Sequence, residues 1–238
     1  MRVLLVVFFC LIFTANVYAA ELFKESWSAT FEEGTAGLSG SGSVTGSSIQ
    51  KPYLITAQMR AGDVKESRLR ISTDSEVISL ILTHGKIYDE QWAEQKVSKL
   101  FAKLVSLGLL DIFLLIEILD GGRDELYLPY IVQGPDNILL LKLSPAESLA
   151  LYEQWTSDLR GLLGAAADGM SAQELSIAEG FMRQIFTALE ADVQYSFHIQ
   201  PETKRITQIG IQSQISAPDE RLCQASIQVL SPGQLPSS

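Results

Sequence analysis

Side chains able to carry chemistry are few in this sequence. It holds two histidines, His84 and His198, and two cysteines, Cys10 and Cys223. A nucleophile with its base, or a Cys/His metal centre, needs several such groups converging on one point. His84 lies in Thr83-His84-Gly85-Lys86, which has the composition of a tight turn, and His198 alternates with Phe197 and Ile199 on the polar side of a predicted strand. There is no Gly-x-Ser-x-Gly elbow and no His-Glu-x-x-His pair. Adjacent carboxylates at Glu32-Glu33, Asp89-Glu90 and Asp219-Glu220 are the remaining acid/base candidates, and they fall in loops or at strand ends, where solvated charges sit. Gly40-Ser41-Gly42-Ser43 has the glycines of a phosphate-cradling loop without the Lys-Ser/Thr ending or the following helix. The expectation is a binding or interaction protein, not an enzyme, with no cofactor and no metal.

The first residues point to a compartment. Arg2 gives a short positive n-region, Val3 to Phe13 an apolar h-region, and Val17 and Ala19 supply small residues for cleavage after Ala19. The apolar run is shorter than the roughly 18 to 20 residues of a spanning helix. Val7, Phe8 and Phe9 are too bulky for a lipoprotein signal ending at Cys10. The expected organisation is a signal peptide over 1–19 and a single domain over 20–238, located in the periplasm or outside the cell. Cleavage leaves Cys223 as the one thiol, on the apolar side of an alternating strand. It is read as buried and inert, with an intermolecular disulfide as the alternative.

The 238-residue chain has 18 Lys+Arg against 28 Asp+Glu, a formal net charge of −10. Loss of Arg2 with the signal makes it about −11. An acidic surface repels phosphate backbones and anionic headgroups, which argues against nucleic acid or an electrostatic membrane contact.

The elements that would position a site alternate in period. Trp27, Ala29 and Phe31 alternate against Ser26, Ser28, Thr30 and Glu32, which predicts a strand. The tract Gly34 to Ser48 reads as a flexible loop or a Gly-rich strand pair. Strands follow at Tyr53 to Arg60 and around Leu69 and Ile71. Residues 77 to 82 are apolar on both faces, as in a strand covered on both sides. A tight turn at 83–86 leads into Ile87 and Tyr88. The period then becomes helical, and Leu104 to Leu119 is apolar almost all round. That segment is either a buried core helix or a helix lying over an apolar concavity. Strands are predicted at Leu126 to Val132 and Ile138 to Leu143, joined by Gly134-Pro135-Asp136-Asn137. Capping boxes at Ser144-Pro145-Ala146-Glu147 and Ser171-Ala172-Gln173-Glu174 start two more helices. Val193, Tyr195, Phe197 and Ile199 then alternate cleanly, Pro201-Glu202-Thr203-Lys204 turns the chain, and Ile209, Ile211, Cys223, Ala225, Ile227 and Val229 continue the pattern. The fold class is α+β, with the strands before residue 90 and after residue 192 in one antiparallel sheet and the helices on one face.

This order of elements resembles the superfamily of LolA/LolB lipoprotein carriers, LppX-like lipid-binding lipoproteins and RseB-type sensor domains. The likeness is carried by Lys51-Pro52-Tyr53-Leu54 running into Met59-Arg60, by His84-Gly85-Lys86-Ile87-Tyr88, and by the Tyr195-to-Ile215 hairpin. The chain departs from the carriers' Arg-Pro-Gly strand start and from the lipobox Cys of the LppX-like members. The resemblance implies a curved antiparallel sheet, an incomplete barrel, covered on its concave face by helices. It also implies an extracytoplasmic carrier of a lipid, an acyl chain or another apolar ligand. The expected cavity is lined by Tyr53, Ile55, Met59, Tyr195 and Phe197 from the sheet, and by Leu107, Leu110, Phe113, Leu114 and Ile118 from the helix. The alternative is an envelope interaction or sensor domain that binds a protein partner and no small-molecule cargo.

Overall fold

Alternation of large apolar and polar residues makes half-buried strands, and here ten of them share one buried side. In the computed structural model the described residues are 2–31, 35–46, 49–60, 66–83, 86–93, 104, 107, 109, 112, 115, 127–150, 171, 173, 176, 180, 190–215 and 220–231. The strands are β1 (Thr35–Gly46), β2 (Ile49–Arg60), β3 (Glu66–Thr73), β4 (Val77–Thr83) and β5 (Lys86–Tyr88). They continue as β6 (Ile131–Gln133), β7 (Ile138–Leu143), β8 (Ala191–Ile199), β9 (Ile206–Ile215) and β10 (Arg221–Leu230). All pairings are antiparallel, in the order β5-β4-β3-β2-β1-β10-β9-β8-β7-β6, and the sheet is not closed into a barrel. As expected, the early and late strands belong to one sheet. Two meanders, β1–β5 and β6–β10, meet where the first strand pairs with the last, and each ends in an edge strand of three residues. Short edges offer little template for unwanted pairing.

The Gly/Ser tract forms β1, a single strand at the centre of the sheet. Its glycines are steric requirements: a Cβ on Gly40 would stand 2.7 Å from the Ile227 backbone Cα, and one on Gly42 would stand 2.6 Å from the Gln224 carbonyl and collide with the Tyr53 ring. Ala36, Leu38 and Val44 give the strand its buried side.

The predicted strand at residues 26–32 is not formed. Helix α1 runs Arg2–Phe31. Ala19, Phe23, Ser26 and Thr30 are all buried, at steps of four, three and four, which is the repeat of a helix face. Of the residues expected inside, Phe31 is buried and Trp27 and Ala29 are half-buried, whereas Ser26 and Thr30, expected outside, are inside. Thr30 Oγ1 donates to the Ser26 carbonyl at 2.5 Å and accepts from the Ile206 N–H at 2.8 Å, at the start of β9. Lys204, in the β8–β9 turn, pairs with Glu25 at 2.6 Å.

The strand predicted from Leu126 is shorter than expected. Leu128–Tyr130 is a 3₁₀ turn containing Pro129, and pairing begins only at Ile131. The turn after β6 is as predicted. Asp136 and Asn137 have φ of 53° and 60°, and the Ile138 N–H donates to the Pro135 carbonyl, the geometry of a type I′ hairpin turn. The Ser144 capping box is formed: Glu147 Oε2 accepts from the Ser144 N–H at 2.8 Å and from its hydroxyl at 2.7 Å, and residues 145–150 are helical. Those bonds hold the Glu147 carboxyl below its ordinary pKa, the hydroxyl contributing most. Positions 173, 176 and 180 are helical beyond the second box.

Candidate functional site

The inner face of the sheet is built by register. Ile78 on β4 stands opposite Ile71, which faces Ile55, then Gly40, Ile227, Ile209, Phe197 and finally Leu139 on β7, so one apolar row crosses eight strands. The adjacent row contains Tyr53, Gly42, Ala225, Ile211, Tyr195, Leu141 and Ile131. Directly opposed side chains on antiparallel strands share a face and touch. Four predicted cavity residues therefore fall on two neighbouring rows, Ile55 with Phe197 and Tyr53 with Tyr195. Four strand spacings, roughly 19 Å, separate the β2 pair from the β8 pair.

All four are buried: Tyr53 and Phe197 are 2% and 1% exposed, and Ile55 and Tyr195 are fully buried. The Tyr195 and Phe197 rings stack with centroids 6.3 Å apart. Phe23 of α1 meets the Phe197 ring edge-on at 4.9 Å and that of Tyr127 at 6.1 Å. Tyr53 Oη lies 3.2 Å from Cys223 Sγ, which places the thiol in the core on the apolar side of β10, as read from the sequence. Met59 pairs with Ala36 and Ser67 at the far end of β2. Leu107 is half-buried and packs on the core cluster. Leu110, Phe113, Leu114 and Ile118 lie outside the described residues.

Sequence reasoning missed several residues of this face. Leu104, Leu109, Ile112 and Leu115 are buried in the same cluster as the sheet residues. Leu109 itself is not helical, and its N–H donates to the Leu104 carbonyl five residues back at 2.8 Å. Phe23, Thr30 and Phe31 were legible only by testing the α1 segment for a helical repeat.

The face is uncharged. Among the described residues, the polar groups buried at this face are the hydroxyls of Tyr53, Tyr195 and Ser213 and the Cys223 thiol, and those of Ser26, Thr30 and Ser148 are buried on the helices. Ser148 bridges the helical residues 145–150 to β8, donating to the Ala191 carbonyl at 2.9 Å. Among the described residues no group of three His, Cys, Asp or Glu side chains could hold a metal ion. Such a surface can bury hydrocarbon. No known protein family and no curated protein matches this chain. The site is therefore interpreted from its own geometry. His198, on the outer side of β8 opposite Ile138 and Gln208, does not reach the inner face.

Proposed function

We propose that this chain is an extracytoplasmic binding protein or carrier that holds a lipid, an acyl chain or another apolar ligand between the inner face of its sheet and its helices. The observation that carries the reading is the apolar row crossing eight strands without a charged side chain. Helix α1 packs chiefly on β6, the 3₁₀ turn, β9 and β1. Leu104, Leu109, Ile112 and Leu115 belong to the same buried cluster as the inner faces of β2–β4 and β8. An apolar helix on an apolar sheet can be exchanged for hydrocarbon at little cost, since each buried methylene contributes about 0.8 kcal/mol wherever it comes from. In this reading the sheet bends around the ligand as an incomplete barrel, in the manner of the LolA-like carriers. The signal-like segment at 1–19 directs export, and residues 20–31 keep Phe23 and Thr30 in place after cleavage.

The test is to purify the protein from cells under gentle extraction and identify bound lipid by mass spectrometry, alongside a Phe113→Asp variant. The expected result is stoichiometric lipid in the parent, none in the variant, and a cooperative thermal transition in both. A variant that cannot fold, together with a lipid-free parent, overturns the carrier reading. A crosslinked protein partner on a lipid-free parent would instead support the interaction-domain alternative.

A further inference from the structure

The outer face of the N-terminal meander carries a second arrangement that the apolar inner face does not account for. Arg70 on β3 stands between Thr56 on β2 and Ser79 on β4, and Arg68 stands between Gln58 and Ile81. Ile81 in turn faces Tyr88 on β5. Thr56, Gln58, Arg68, Arg70, Ser79 and Ile81 floor a groove of about 530 Å³ that Glu90 and Trp92 close from the following loop. One end is rich in hydrogen-bond donors, and the other is apolar and aromatic.

Trp92 is held there against its backbone preference. Its φ is 59°, a genuine outlier for a bulky side chain. The Asp89 carboxylate enforces it, accepting from the Gln91 and Ala93 N–H groups at 2.9 Å each, while the Trp92 N–H donates to the Asp89 carbonyl at 3.0 Å. The indole remains 52% exposed, with its ring centroid 5.7 Å from that of Tyr88. Local strain kept to present a half-exposed aromatic is a pattern of ligand clamps.

Charge defines the ligand. Arg68 Nε is paired with Glu66 at 2.7 Å, and Glu90 adds a carboxylate to the rim, whereas Arg70 has no ion pair or hydrogen bond among the described residues. With Arg68 matched by Glu66 and Arg70 by the Glu90 carboxylate on the rim, the local charge sums to zero, which disfavours a polyanion. The Arg70 guanidinium, flanked by two hydroxyls and in no ion pair among the described residues, suits a single carboxylate in a forked contact. The apolar wall of Ile81 and Trp92, with Tyr88 against the Trp92 ring, suits a ring or short hydrocarbon attached to it. We propose that this outer groove binds a small organic monocarboxylate, with Arg70 on the carboxylate and Trp92 on the apolar body.

Calorimetric titration of the full chain with naphthalene-2-carboxylate, and with the neutral naphthalene-2-methanol, tests it. The expected result is one-to-one binding of the carboxylate, at least tenfold weaker binding of the alcohol, and at least tenfold weaker carboxylate binding by Arg70→Gln. Trp92→Gly is expected to weaken binding without lowering Tm, because glycine accepts the positive φ freely. Lys142→Gln, on the outer face of β7, should bind as the parent does. Absence of carboxylate binding, equal affinity for acid and alcohol, or undiminished affinity in Arg70→Gln overturns the proposal. The last of these would place the probe on the apolar inner face instead.

Discussion

The two meanders present the same kind of inner face and opposite kinds of outer face. In β8–β10 the outward residues are mostly amides and hydroxyls, with Ser43, Gln224, Gln212 and Gln194 aligned across four strands and Asp192 as the one carboxylate at the start of β8. In β2–β5 the outward residues include Arg68, Arg70, the buried Ile81 and the exposed Leu54 and Val77. The C-terminal meander is also the one that α1 clamps, through Phe23, Thr30 and Glu25. Inward residues set the fold and are shared by both halves, so distinctive chemistry is found where the outward residues break from a bland polar surface.

The clamp is the strongest way to break this comparison. Phe23→Ala removes an aromatic from the Phe197 and Tyr127 rings and should cost about 3–5 kcal/mol in urea unfolding. A loss below about 1 kcal/mol would mean that α1 does not distinguish the halves. The seam comes next: Gly40→Ala pushes a methyl into the Ile227 backbone and should cost about 1–3 kcal/mol by the same measurement. An unchanged midpoint there would show that β1 and β10 are not tightly apposed.

Smaller effects sharpen the picture at the C-terminal half. Ser144→Ala removes the cap that follows β7 and should cost about 1 kcal/mol. Because the Glu147 pKa is lowered in the fold, the contribution of this box is present above the ordinary carboxylate pKa and is lost as pH falls through the depressed value. The parent should therefore lose stability relative to Ser144→Ala on acidification, and parallel pH profiles would contradict the box. Least of all, Lys204→Met breaks an exposed pair with Glu25 and should cost about 0.2–1 kcal/mol, diminishing with added salt.

Much of the fold was readable because period two is a local signal. β8 alternates without fault over its nine residues, and Lys204 takes the positive φ, 55°, that its turn requires. β4 was read as covered on both faces, and Ile81 is indeed buried on the outer side, although Val77 is 48% exposed. The helical end of α1 was misread because a short stretch of Ser, Trp and Ala satisfies both periods, and only Ala19 and Phe23 upstream break the tie. Inward orientation of Tyr53, Ile55, Tyr195 and Phe197 followed from parity alone. What packs against them did not, since it comes from elements remote in sequence, as Phe23 of α1 does against Phe197. The outer groove escaped the sequence altogether: Arg68 and Arg70 gain meaning only when β2, β4 and the loop at 89–93 flank them.

Pairing of β1 with β10 also sets an order of events in time. Residues 37–46 find their second neighbour only in residues 221–230, so a chain emerging N-terminus first must wait for nearly its whole length before the sheet can be joined. Until then β1 is an edge strand, glycine-rich and without a charged side chain, and it holds its hydrogen-bonding groups open to any extended chain nearby. Such non-local closure makes for slow folding. A chain ending before residue 221 is expected to leave two exposed central edges and to aggregate, not to fold as a smaller domain.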